Sequence, residues 1–129
     1  AQLLKGVVQD SAHGVFLGKM TVQPGAGGTD AHQLNQNLLL GARASVDTKP
    51  ELEIFADEVK CSHGATVGDL DENALFYLQA RGVREDTART MLVEAFAVSA
   101  IEAAGLDSAA AEHLHAHLRC WLRDEEDKS

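Results

Sequence analysis

Nine of the eleven glycines and both prolines of this chain precede Asp69, so the first half must turn often and cannot hold long uninterrupted elements. Between these turn formers lie short segments of strand character. Val15 to Val22 reads as a strand with apolar positions on both faces, closed by Pro24-Gly25-Ala26-Gly27-Gly28. Gln33 to Leu40 is mixed, because Leu and Gln favour helix, but Asn35, Asn37 and the flanking glycines turn the reading to strand. Glu51 to Ala56 alternates cleanly, with Leu52, Ile54 and Ala56 on one face and Glu51 and Glu53 on the other. No crossover helix separates these segments, which excludes a doubly wound sheet and leaves a sandwich, a barrel or a stacked parallel β-helix. In a stacked arrangement Asn35 or Asn37 would form internal polar ladders, though no exact internal repeat marks one.

From Asp69 onward the pattern is helical. Asp71 is placed to cap a helix through Leu75, Leu78 and Gln79 that stops at Gly82. A second helix runs from about Glu85 to Ala104, with Ala88, Met91, Leu92, Ala95, Phe96 and Ser99 as its stripe and Gly105 after it. A third begins near Asp107 or Ser108, carries Leu114, Leu118, Trp121 and Leu122, and ends in the charged, solvated tail Arg123 to Ser129.

Length and charge narrow the function classes. At 129 residues and 45% hydrophobic content the chain is long enough for an ordinary domain with a real core. A formal net charge of -9 argues against a nucleic-acid surface and against anionic membranes, since both need clustered Lys and Arg. No apolar run approaches the ~18 residues of a membrane span, and the start Ala1-Gln2-Leu3-Leu4-Lys5-Gly6 lacks the apolar region of a signal peptide, which predicts a cytoplasmic protein. Two cysteines, Cys61 and Cys120, are too few for a disulfide framework and are read as reduced.

The boundary between the halves, Val59 to Gly68, holds the chemistry. Read with a period of two, Val59, Cys61, His63, Ala65 and Val67 share one face, while Lys60, Ser62, Gly64 and Thr66 share the other. Alternate strand residues are roughly 6.5 to 7 Å apart at the backbone, so Cys61 and His63 can lean toward one metal or partner group. The structural alternative makes Cys61 a small buried hydrophobe and His63 a hydrogen-bonded core histidine. On the last helix His113, His117, Cys120 and Asp124 fall within about 60° of one another, and an i, i+4 His pair suits zinc. Leu114 stands where the H-E-x-x-H motif has its glutamate, so that protease chemistry is excluded. Gly14-Val15-Phe16-Leu17-Gly18-Lys19-Met20 approximates a phosphate-binding loop, but it is one residue short between the glycines and has Met20 in place of Ser or Thr. No nucleophile lies in a recognisable elbow. An enzyme working on carbohydrate would need convergent carboxylates, and Glu51, Glu53, Asp57 and Glu58 are the local candidates, all equally readable as a solvated face and turn.

Gly14-Val15-Phe16 with Gly18-Lys19, then Asn35 to Leu40 and Asp47 to Ile54, and finally Val59 to Gly68 followed by Leu75-Phe76-Tyr77-Leu78-Gln79-Ala80-Arg81-Gly82, resemble the SufB/SufD family of the SUF iron-sulfur cluster assembly system. The resemblance covers most of residues 6 to 104. Gly64 after His63, where the SufB branch has Glu, makes Cys61-Ser62-His63-Gly64-Ala65-Thr66 similar to the SufD branch. It implies a mainly β plus α fold: right-handed parallel β-helix rungs over residues 1–68, the end of a longer β-helix core, then a helical domain over 69–129. It implies a non-enzymatic scaffold that pairs with SufB and docks the SufC ATPase. It further implies that Cys61 and His63 lie near the interface with SufB, where a transient iron-sulfur cluster or iron is held and no cofactor is intrinsic to this chain. Family members are several times longer, so the chain is expected to be a C-terminal portion whose severed end self-associates. The third helix matches the family only loosely, and no role is carried onto it.

Overall fold

A computed structural model describes residues 1–126, with side chains to residue 122; the tail read as solvated, Asp124 included, lies outside the described side chains. The chain divides into two compact units, Ala1–Asp69 and Leu70–Ser129.

The first unit holds five strands: β1 (Gln2–Val8), β2 (His13–Val22), β3 (Asp30–Leu39), β4 (Ser45–Ile54) and β5 (Lys60–Gly68). Odd and even strands part company. β1, β3 and β5 form one sheet in that order, β2 and β4 form another, and every pairing is parallel. A parallel neighbour needs a crossover, and here the crossover between two strands of one sheet contains a strand of the other. The ladders run on past the strand ends, as in Leu40 N–H to Val8 C=O at 2.8 Å and Phe55 N–H to Val22 C=O at 2.9 Å, and two turns bond through Gly28 N–H to Glu58 C=O at 3.0 Å. Gly41 is obligatory at one of them, since a Cβ there would stand 2.8 Å from the Asp10 carbonyl oxygen.

This arrangement corrects the expectation of right-handed parallel β-helix rungs. The strands complete their ladders within two separate parallel sheets of three and two strands, and no closed coil is present among the described residues. With three helices following, the architecture is a mixed α and β fold. The physical reason lies in the pairing: each strand bonds to the strand two places on, so short turns satisfy the backbone without closing a coil.

The interior face of the three-stranded sheet is polar at its centre. Gln33, Asn35 and Asn37 of β3 are buried, Asn35 to 3% exposure, beside the apolar Val22, Leu38 and Ala44. Buried amides need partners. Asn37 Nδ2 donates to Asn35 Oδ1 at 2.7 Å, and Gln33 Nε2 donates to Gln2 Oε1 at 3.0 Å on the neighbouring strand. Gly6 makes room for this set, because a Cβ there would stand 2.5 Å from Asn37 Oδ1.

On the outer faces, two histidines fix the register. His13 Nδ1 meets Ser45 Oγ at 2.8 Å and its Nε2 meets Asp47 at 3.2 Å, tying β2 to β4. His32 Nδ1 meets Ser62 Oγ at 2.6 Å, tying β3 to β5, and its Nε2 meets Asp30 of its own strand at 2.8 Å. In both cases the His and Ser are directly paired residues of the ladder.

The second unit comprises α1 (Glu72–Gln79), α2 (Glu85–Ala103) and α3 (Ser108–Glu126). Asp71 caps α1 as its sequence position predicts, its Oδ1 accepting from Asn73 N–H at 2.9 Å and Ala74 N–H at 3.4 Å. Asp107 does the same for α3 through Ala110 N–H at 2.9 Å. Gly82 and Gly105, at φ +85° and +60°, end α1 and α2 in the left-handed conformation that favours glycine. The α2 stripe differs from the expected one: Ala88 and Val93 are its buried residues, while Met91 and Ala95 are exposed. On α3 the packed face is Ala111, His115, Leu118 and Leu122, whereas Leu114 and Trp121 are exposed. The small Ala88 is fully buried where the larger Met91 is exposed, so side-chain size alone does not mark the packed face.

Two outcomes test these contacts. Asp71→Ala should destabilise the chain by about 1 kcal/mol in urea unfolding, while Asp71→Asn, which keeps the acceptor, should leave it within about 0.5 kcal/mol. Ser62→Ala removes one cross-strand hydrogen bond worth about 1 kcal/mol from β5, which has a single neighbour. Amides of β5 bonded to β3 should then exchange with solvent roughly fivefold faster by NMR, with β1 unchanged.

Candidate functional site

β5 is the last strand of its sheet, paired to β3 on one side. In register, Cys61 lies beside Ala31 and His63 beside Gln33. Paired residues of a parallel ladder point to the same face, so Cys61 and His63 project from the interior side of the sheet, the side of Gln33, Asn35 and Asn37. At the end of the sheet that side is open. Cys61 is half-buried, and His63, Ala65 and Val67 are exposed. The shared face of Cys61 and His63 follows the alternation in the sequence, but the burial does not match a core histidine, because His63 faces solvent.

The opposite face of β5 holds the strand in place. Ser62, between Cys61 and His63, carries the His32 contact described above. Gly64 completes a row with Leu3 and Leu34, and a Cβ at Gly64 would come within 3.1 Å of Leu34 Cδ1. The residue that sets this signature apart is therefore one that spares a leucine on the neighbouring strand. Sequence reasoning missed the His32–Ser62 contact, whose signal is the spacing of 30 residues shared by the whole β3–β5 register.

Next to His63 in the ladder, Gln33 is 4% exposed, and its Oε1 is buried without a hydrogen-bond donor among the described residues. A Cβ on Gly18 would stand 2.6 Å from Phe16 Cζ and 2.8 Å from that oxygen, so glycine at this point of β2 makes room for both. An interior acceptor thus lies one strand in from the exposed imidazole.

Cys61 offers a thiolate and His63 an imidazole, both ligands for zinc, iron or an iron-sulfur cluster. Both cysteines are free. Among the described residues no group of three or more His, Cys, Asp or Glu side chains is gathered to hold a metal ion. Cys61 and His63 therefore provide at most half of a four-coordinate site.

The remaining sequence candidates fall into structural roles. Glu51 pairs with Lys49 at 2.8 Å and Glu53 with Lys19 at 2.6 Å. The hydrogen bond from Lys49, with its charge, holds the Glu51 carboxyl below its ordinary range, and the same bond raises the Lys49 ammonium. Glu58 sits in a turn at φ +55°, its carbonyl accepting from Gly28 N–H at 3.0 Å, with Asp57 beside it. Gly14 to Met20 lies wholly within β2, so no helix N-terminus is there to cradle phosphate. On α3, His113 and His117 lie with ring centres 4.6 Å apart, and Cys120 is exposed but not gathered with them into a three-ligand group.

Comparison with known proteins gives these residues a family. The family model of the SUF system FeS cluster assembly SufBD core domain matches residues 1–96. The chain is 50% identical over 102 residues to the iron-sulfur cluster assembly protein SufD of Escherichia coli, covering 79% of this chain and 24% of that protein. It is 50% identical over 96 residues to a SufBD family protein of Synechocystis, covering 74% and 21%, and 35% identical over 94 residues to SufD of Bacillus subtilis, covering 73% and 22%. The chain thus spans about a quarter or less of the curated relatives it matches. Within that span the Cys61-Ser62-His63-Gly64 strand, its register clamp and the capped helix after it all lie in the matched region, and the chain belongs to the SufBD family as a SufD-like member.

Proposed function

We propose that the protein serves iron-sulfur cluster assembly as a non-enzymatic scaffold whose β5 edge contributes half of a cluster site. The observation that supports this most directly is the pairing of Cys61 and His63 on the open face of an edge strand, with no third ligand gathered beside them among the described residues. A four-coordinate iron or cluster needs the rest from elsewhere. SufB is the partner proposed to supply them, with His63 as ligand to iron or a nascent cluster and Cys61 as ligand or sulfur carrier. The cluster is cargo, held in transit. The Cys61 thiol is half-buried at the open end of the sheet, where a partner surface would shield it from oxidants.

The second unit is proposed to dock the SufC ATPase through α1. No residue of α1 is buried, and Phe76 and Tyr77 stand 71% and 56% exposed. Arg81 lies 3.4 Å over the Tyr77 ring and bonds the Tyr77 carbonyl at 3.3 Å, which holds that ring in one position for a partner. Exposed aromatics of this size are typical anchors of a protein interface. Among the described residues no helix is long and apolar enough to cross a membrane, and the proposed workplace is the cytoplasm.

Substitution at β5 separates this reading from a structural one. Because His63 is exposed, His63→Ala should change stability by no more than about 0.5 kcal/mol. In the full-length complex purified with its partners without oxygen, iron and sulfide per assembled complex should fall severalfold. Cys61→Ser should lower sulfide in the same way, since a hydroxyl cannot replace a thiolate. A His63→Ala complex that melts much earlier yet carries normal iron would refute the role. For α1, Phe76→Asp should weaken SufC binding at least tenfold by calorimetry while the chain stays folded; unchanged affinity would remove α1 from the interface.

A further inference from the structure

We propose that His113 and His117 form a two-imidazole chelate for a borderline divalent transition ion, of the nickel, copper or zinc class, on the exposed face of α3. The site is independent of Cys61 and His63, which belong to the other unit.

Residues four apart on a helix stand on the same side, one turn above the other. Both rings are exposed, whereas His115 between them is half-buried on the packed face with Leu118 and Leu122. The ring centres are 4.6 Å apart with the planes at 80°. A first-row ion about 2.0 Å from one nitrogen of each ring lies about 3.1 Å from each ring centre, and centres at this separation subtend roughly 95° at the ion. That value falls near the right angle of tetragonal and octahedral sites, which suits nickel and copper with imidazole nitrogen. The ring centre lies almost on the Cβ–Cγ axis, so turning χ2, a broad torsion in histidine, re-aims a nitrogen while barely moving the centre. The helix has therefore already set the separation that a chelate requires. With no third side chain gathered at the pair among the described residues, water fills the other coordination positions.

Exposure makes the test clean, because neither ring contributes to the packed core. Nickel chloride alone is titrated calorimetrically into the full chain at about pH 7.5, where ordinary imidazoles are neutral. A His63→Ala, Cys61→Ser background removes the β5 ligands. His113→Gln and His117→Gln should each weaken nickel binding at least tenfold, and His115→Gln should leave it unchanged. Circular dichroism checks that each variant is folded. No nickel binding by the parent at millimolar concentration, retention of affinity by either variant, or an equal loss in His115→Gln would overturn the site. Because the background lacks Cys61 and His63, its outcome is separate from that of the cluster-assembly reading.

Discussion

The structure of the first unit depends on a parallel ladder in which each strand meets the strand that follows it by 30 to 32 residues. Such a ladder aligns side chains in rows across the sheet, so what one residue can be is set by its neighbours at that spacing. Gln2, Gln33 and His63 form one row; Gly6, Asn37 and Val67 form another. Slipping the register by one residue would exchange the faces and put Leu34 and Gln36 where Asn35 and Asn37 now bond each other. Polar groups buried in this way select one register, since any other leaves amides without partners. The histidine clamps on the outer faces add the same constraint from the solvent side.

Much of this was legible in the sequence, for local reasons. The Asp71 cap, the start of α3 at Asp107-Ser108 and the glycine stops at Gly82 and Gly105 depend on residues within one turn, and all are found. Strand character in Gln33 to Leu40 was also readable, because two asparagines outweighed the leucines. The common face of Cys61 and His63 needed only alternation. Pairing was not legible, because it joins residues about 31 apart that share no repeated motif. The expected right-handed parallel β-helix, one of three architectures the strand pattern left open and the one family likeness chose, gives way to two parallel sheets. Exposure at His63 was not legible for a related reason: its apolar strand neighbours leave a core histidine open as an alternative, but position at the end of the sheet decides exposure. On α2 alanine at 88 is buried and methionine at 91 is exposed, the reverse of what side-chain size suggests.

An edge strand is a place where function and hazard coincide. The free side of β5 carries backbone donors and acceptors with no partner in its sheet, which invites pairing with another chain. Lys60, the exposed residues along the strand and the His32–Ser62–Asp30 clamp restrain it without closing it. Exposed edges of this kind persist where a partner covers them, and the half-site proposed for Cys61 and His63 would draw its remaining ligands from such a partner. On that proposal coordination number and sheet geometry ask for the same thing at the same strand.

The interior supports that edge in a way that separates stability from chemistry. Gln33 donates its amide nitrogen to Gln2 on one side, and its carbonyl oxygen is buried without a donor one strand away from His63. A buried acceptor left in this state costs about 1 to 3 kcal/mol, so the row tolerates a penalty that an apolar residue would avoid. Gly18 keeps space over the same oxygen and Gly6 keeps space for Asn37, so glycines on two strands accommodate the polar interior. The unpartnered oxygen belongs to the β3 residue paired with His63, whereas Cys61 is paired with Ala31. Elsewhere in the interior, at Val22 and Leu38, the buried side chains are apolar. Polar burial, glycine relief and an exposed imidazole thus meet on one row of the ladder, Gln2, Gln33 and His63.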